Sequence, residues 1–140
     1  MSDIAKINGK DLRISTKQSI EICNFIRRKD LAKAKQLLEN VLKKKVAVPF
    51  KLFNTDRGHR PGIGPGAYPM NACKEVLDLL EGVTANAENQ GLNKNNLYIS
   101  KIIANRAARG YHFGRKRRRK VKATHIYIEV AEKSKKENKK

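Results

Sequence analysis

Apolar positions along this chain fall into three stretches of helical spacing, followed by a stretch of strand alternation. The first helix is expected after Ser15, with Gln18 three residues on in the spacing of a capping box. Ile20, Cys23 and Phe25-Ile26 then recur near a helical period. Arg27-Arg28-Lys29 is expected to close the last turn, where cations suit the negative end of the helix dipole. Asp30 is placed to cap a second helix, with a stripe of Leu31, Ala34, Leu37-Leu38 and Val41-Leu42. Lys33, Lys35 and Lys43-Lys44-Lys45 lie mostly off that stripe. Pro69 suits the first turn of a third helix, whose stripe runs Cys73, Val76-Leu77, Leu80, Val83 and Ala87. Gly91 is predicted to end it in the left-handed conformation. Gly82, inside this helix, costs roughly 1 kcal/mol relative to Ala and would let another backbone pack closely.

The segments between and around these helices read differently. Residues 1–14 look extended, with a turn at Asn8-Gly9 and sparse apolar contacts from Ile4, Ile7, Leu12 and Ile14. Residues 46–68 read as a long loop. Val46, Val48 and Phe50 give it a short extended start, and Gly58, Pro61, Gly62, Gly64, Pro65 and Gly66 are expected to break any regular element. A loop of this length is functional or ordered by a partner, and Arg57, His59 and Arg60 make its tip basic.

The last third is strand-like. Leu97, Ile99 and Ile102-Ile103 alternate imperfectly, whereas Ile126, Ile128 and Val130 alternate cleanly with Tyr127 and Glu129. The simplest connection is an antiparallel hairpin. If both strands run on into the intervening segment, each arm has about 15 residues and reaches on the order of 50 Å. Only the roots carry apolar alternation, so the outer hairpin is expected to be mobile when free and ordered in a complex. Residues from about 132 to 140, rich in Lys and Glu, read as a disordered tail.

Charge changes the picture most. The formal net charge is +19, the pI about 10.2, and the hydrophobic share 39%. Self-repulsion on this scale opposes compaction unless a polyanion neutralises it. A length of 140 residues fits one domain with a modest core. It divides into a globular part of about 1–104 and 123–131 and a basic hairpin of about 105–122. No apolar run approaches the ~20 residues needed to cross a bilayer, and the first residues do not form a secretory signal. Cys23 and Cys73 read as reduced, buried thiols of a cytosolic protein, with a disulfide between them as the alternative.

Charge concentrates between the last two strands. Arg106, Arg109, Lys122 and the run Arg115-Lys116-Arg117-Arg118-Arg119-Lys120 surround Tyr111-His112-Phe113. On a strand, six successive cations put charge on both faces, so neither face packs on a core. Arginine pairs with phosphate through two hydrogen bonds and stacks on bases, and aromatic rings beside unpaired bases recur in RNA recognition. The alternatives are a disordered basic tract, an architectural protein of the DNA minor groove, and a protein of anionic lipid surfaces.

Catalytic constellations are weak. Asp56 and His59 share a Gly/Pro loop, and Glu75, Asp78 and Glu81 line one flank of a helix. His59, His112 and His125 stand at no metal-ligand spacing. The Gly-rich loop lacks the lysine and hydroxyl of a nucleotide-binding loop. The residues therefore imply no enzyme, no cofactor, no metal and no small-molecule substrate.

Three blocks resemble the ribosomal large-subunit protein L twenty-two family, known in eukaryotes as L seventeen, and most closely its archaeal and eukaryotic branch. The first is Val48-Pro49-Phe50-Lys51 with Asn54 and Gly58-His59. The second is Tyr68-Pro69, Leu77-Asp78-Leu79-Leu80 and Asn86-Ala87-Glu88, ending Gly91-Leu92. The third is Gly114-Arg115 with His125-Ile126-Tyr127-Ile128-Glu129-Val130. Their order and spacing carry the match over roughly residues 12–131. The resemblance implies an α+β fold, three helices on a small antiparallel sheet with one long protruding β-hairpin. It implies a cytoplasmic structural protein of the large ribosomal subunit. Its partners would be large-subunit ribosomal RNA, neighbouring ribosomal proteins and the nascent polypeptide, with no membrane. The globular part would sit near the polypeptide exit and the hairpin, Arg106 to Lys122, would line the exit tunnel. Together with Lys43, Lys44, Lys45, Arg57, His59 and Arg60, that arm supplies the expected RNA-binding residues. After Gly-Arg the family often has small or apolar residues, where this chain has Lys116 to Lys120.

Overall fold

The computed structural model describes residues 4–133. Its main sheet has three antiparallel strands in the order β1 (Ile4–Leu12), β6 (Thr124–Glu132), β5 (Leu97–Arg106). Helices α1 (Thr16–Ile26), α2 (Leu31–Leu42) and α3 (Met70–Asn89) complete one core. α3 lies against β1 and β6, α1 lies against β5, and α2 packs on α3. The fold is α+β, as expected.

The inner faces follow the apolar patterns. Ile126, Ile128 and Val130 of β6 are fully buried, as are Val76, Leu80, Val83 and Ala87 of α3 and Leu38 and Val41 of α2. Each large aliphatic side chain buried in this way contributes about 1.5–3 kcal/mol. Gly91 takes φ +77 beyond the end of α3, as its position predicted. The uneven alternation of β5 has a local cause. Ile99 pairs with Val130 and Lys101 with Glu129, so Ser100 is the extra residue of a bulge. Ile99 and Ile102 can then both face the core although three residues apart.

Several sequence expectations are corrected. Asn8-Gly9 is not a turn: both residues lie within β1, and Gly9 pairs with Ile126. A Cβ on Gly9 would stand 2.8 Å from Leu79 Cδ1, so the glycine admits α3 rather than bending the chain. Gly82 likewise admits a neighbour, and it is a side chain, with Ile7 Cδ1 2.7 Å from a Cβ built there. Ser15 stands at the start of α1 without a side-chain capping bond, and its carbonyl instead accepts from the Ser19 hydroxyl at 2.9 Å. Asp30 precedes α2, also without a capping bond. Its carboxylate pairs with the Lys133 ammonium. α1 ends at Ile26, so Arg27-Arg28-Lys29 lies outside the helix, and Arg28 reverses the chain at φ 60. The buried face of α1 runs Ser19, Ile22, Cys23 and Ile26 with Glu21, and omits Ile20.

The long loop is also more regular than expected. It contains β2 (Val48–Pro49), β3 (His59–Arg60) and β4 (Gly64–Ala67), a second small sheet in the order β2-β4-β3. Pro65 lacks an N–H, but its carbonyl accepts from Phe50 N at 3.0 Å. The sheet is tied to the core by Glu21. This fully buried carboxylate accepts the backbone N–H groups of Lys51 at 3.1 Å, Leu52 at 2.7 Å and Phe53 at 2.8 Å. At the other end of the chain, Glu132 belongs to β6 and Lys133 N donates to the Asn96 carbonyl at 3.0 Å. Glu132 and Lys133 are thus not part of a disordered tail, and the rest of the expected tail, residues 134–140, lies outside the described residues.

Candidate nucleic-acid interface

The strands β5 and β6 are the roots of the basic arm. Regular pairing stops at Arg106 opposite Thr124, well short of the 15-residue arms expected from the sequence. Beyond it, three backbone hydrogen bonds join the arms: Ala107 N to the Ala123 carbonyl at 3.3 Å, Val121 N to Gly110 at 2.8 Å, and His112 N to Arg119 at 2.9 Å. Five steps from Arg106 to Tyr111 match four from Thr124 to Lys120, so the register slips by one residue. The slip, and apolar cross-strand pairs that offer nothing larger than Ala107 opposite Ala123, explain why a regular ladder does not continue. Neither arm has a face that a helix covers, and ladder hydrogen bonds exposed to water contribute little alone.

The tip is a turn rather than a strand. Gly114 takes φ +63, Gly114–Lys116 form a single 3-10 turn, and Arg117 N and Arg119 N donate back to the Gly114 and Lys116 carbonyls. The cation run therefore does not alternate across a strand as expected. Instead Arg115, Lys116, Arg117, Arg118 and Arg119 fan around the turn with Gly114 and line a concavity of about 730 Å³. Every residue from Arg109 to Lys120 is exposed, and no Asp or Glu occurs between Glu88 and Glu129.

At the root, tertiary structure assembles a second cationic group. Arg106, Arg109 and Lys122 share a cleft of about 320 Å³ with Ser15, Thr16, Lys17 and Ala123. The three hairpin cations were foreseen. Ser15, Thr16 and Lys17 were not, because nothing in the local sequence shows that α1 begins beside the hairpin. Lys17 also lies over the Phe53 ring, 5.6 Å from its centroid.

The remaining foreseen residues stand elsewhere. Arg57 stacks on buried Phe50 at 4.6 Å and Arg60 on Tyr68 at 5.2 Å. His59 is exposed on β3 between them. These stacks hold two guanidinium planes at the surface at low entropic cost. Lys43, Lys44 and Lys45 are exposed, and form the turn that ends α2 rather than its last helical turn, with Lys44 at φ 57. None of these residues lines the tip concavity or the root cleft. Besides Ser15, Thr16 and Lys17, sequence reasoning missed Glu21, which binds the backbone of Lys51, Leu52 and Phe53. A lone carboxylate one residue before Ile22-Cys23, on the flank of an apolar face, is its only signal.

Among the described residues, no cluster of His, Cys, Asp or Glu is arranged to hold a metal, and no helix is long and apolar enough to cross a membrane. Cys23 and Cys73 are both free and buried. Burial pushes each thiol up from 9.0 to about 12, which removes the thiolate a nucleophile needs.

Fold and surface thus define a strongly basic α+β protein that carries an exposed cationic hairpin. The chain belongs to the ribosomal protein L22p/L17e family, whose sequence profile matches residues 7–131. It is 42% identical to the large ribosomal subunit protein uL22 of Nanoarchaeum equitans, covering 94% of this chain and 80% of the relative. It is 43% identical to the uL22 of Methanosphaera stadtmanae, covering 92% and 89%. The uL22 of Methanopyrus kandleri is 39% identical over 91% and 86%.

Proposed function

We propose that this chain is a structural constituent of the large ribosomal subunit, working in the cytoplasm, and that it binds large-subunit ribosomal RNA. The observation that carries this reading is the hairpin: an exposed arm, free of carboxylates, on a chain with a net charge of +19 and uL22 relatives along most of its length. The root cleft, the tip concavity and the stacked Arg57 and Arg60 are suited to phosphate groups. The protein acts by neutralising and fixing RNA, not by catalysis.

The finer assignment follows the family. The globular part, about 1–104 and 123–131, sits near the polypeptide exit, and the arm reaches inward to line the tunnel. Neighbouring ribosomal proteins and the passing nascent polypeptide are its further partners. The RNA contacts fall on the hairpin from Arg106 to Lys122, on Arg57, His59 and Arg60, and on Lys43 to Lys45.

The test is competition between large-subunit ribosomal RNA and a plain DNA duplex across a salt series. Counterion release predicts that affinity for either falls steeply, by about 10³-fold or more between 50 and 200 mM salt for six or more phosphate contacts. A preference for the ribosomal RNA that persists at high salt supports the proposal. Equal binding that disappears together leaves only nonspecific charge attraction. Replacing Arg109–Lys120 by a short Asn-Gly turn leaves the core cluster untouched, so the variant should fold yet bind the RNA more weakly.

A further inference from the structure

The two aromatic rings of the arm are not equivalent. Tyr111 is 63% exposed, and its ring is covered on one side by its cross-arm neighbour Lys120, whose ammonium lies 5.3 Å from the ring centroid. Phe113 is 94% exposed, the most exposed large apolar side chain among the described residues. None of the cation–aromatic pairs among them uses its ring. It immediately precedes the 3-10 turn, so it stands at the rim of the concavity lined by Arg115 to Arg119. Its backbone is held on both sides, by His112 N donating to Arg119 and by the Arg117 to Gly114 bond across the turn.

We infer that Phe113 is the stacking platform for one unpaired RNA base, with the flanking phosphates seated among the cations of the turn. The inference rests on the RNA-binding reading and deepens it: the arm's tip takes single-stranded rather than paired RNA. An apolar ring in water, bordered by guanidinium groups and lacking any nearby carboxylate, complements a base and its phosphates. A protein hydrophobic surface would meet five desolvated cations beside that ring, which is costly. A paired base offers no free face, whereas every unpaired base offers a π-surface. Tyr111 acts differently: Lys120 occupies one side of its ring, so Tyr111 stiffens the arm.

The chain contains no tryptophan, so Phe113→Trp in the 140-residue chain introduces a single tryptophan reporter at the tip. The probes are a single-stranded oligo(A) RNA of about twelve nucleotides and an RNA duplex of matching length. Oligo(A) should quench the reporter strongly and the duplex should not. Phe113→Leu keeps an apolar side chain but removes the π-face. It should weaken oligo(A) binding by about 5- to 100-fold and leave duplex binding within about twofold, while Phe113→Tyr should retain most of the affinity. If Phe113→Leu binds oligo(A) as the unmodified protein does, or if saturating oligo(A) leaves the tryptophan unchanged, the inference is overturned and the ring is free for an apolar protein partner. If the unmodified protein binds neither RNA better than it binds heparin, the RNA-binding reading fails as well.

Discussion

The Thr16 hydroxyl lies 2.8 Å from the Thr124 hydroxyl, and Thr124 in turn donates to the Ile14 carbonyl at 2.9 Å. Because the single Thr124 proton goes to Ile14, Thr16 is the donor to Thr124. This relay fastens the first residue of α1 to the first residue of β6, at the root of the basic arm. It therefore fixes Lys17 beside Arg106, Arg109 and Lys122. Thr124 is fully buried, so Thr124→Val leaves both partners unpaired without changing the volume. The variant should lose about 1–3 kcal/mol in urea unfolding. Thr16→Ala should lose less, because the Thr124 hydroxyl keeps its bond to the Ile14 carbonyl. Equal stability of all three proteins would dissolve the relay.

Glu21 ties the small sheet to the core through three backbone N–H groups. Charge-assisted bonds of this kind are stronger than neutral ones. Glu21→Gln keeps the shape but must point an amide donor at donors. A loss of about 2–3 kcal/mol is expected, together with faster amide exchange at Lys51, Leu52 and Phe53. The same change should weaken RNA binding modestly, because Arg57 and Arg60 are positioned by this sheet. Exchange at those three amides that matches the parent protein would show that the loop holds itself.

Two glycines make contrasting demands on α3. At Gly9, a Cβ would meet Leu79 Cδ1 at 2.8 Å, Leu79 Cδ2 at 3.0 Å and Leu12 Cδ1 at 3.1 Å. Two leucines must move at once, and Gly9→Ala should destabilise by about 1–3 kcal/mol through overpacking. At Gly82 the only close neighbour is the end of one flexible side chain, Ile7 Cδ1 at 2.7 Å. Helix propensity returns roughly 1 kcal/mol there, so Gly82→Ala should be near neutral. Thermal unfolding of the pair checks the order.

The cysteines give a pH prediction. Burial raises both thiols to about 12 in the folded protein, whereas the unfolded chain ionises them near the ordinary 9.0. A raised folded pKa means that this contribution to stability is present below pH 9 and is lost as pH climbs from there towards 12. Cys73→Ala should flatten that decline. Iodoacetamide at mildly alkaline pH should label neither residue in the native protein and both in denaturant. Rapid labelling of the native form would contradict the burial.

Much of the fold was legible because its signals are local and repeated. The stripe of α3 from Cys73 to Ala87 and the alternation of Ile126, Ile128 and Val130 each have one buried face, and both keep their pattern in the structure. The misread places involve a distant partner. Asn8-Gly9 has turn chemistry, yet the close approach of Leu79 to a strand is its actual reason. The Gly/Pro-rich segment 58–67 looked structureless because its hydrogen bonds are supplied by a short ladder to Val48–Pro49 and within itself, which no local spacing signals. The cation run appeared strand-like only while its neighbour Gly114 could be taken as part of an arm; its positive φ makes a turn there.

Residue order by itself determined the three helices, the two long strands, the excess of positive charge and its concentration between residues 106 and 122, because periodicity and composition are written along the chain. Only the tertiary structure decided which cations share a cleft, that Lys17 joins the hairpin root, that Lys120 covers Tyr111 while Phe113 stands free, and that a buried carboxylate binds the backbone beside the second sheet. Those relations depend on which elements fold against each other, and no spacing within the chain encodes a distance across it.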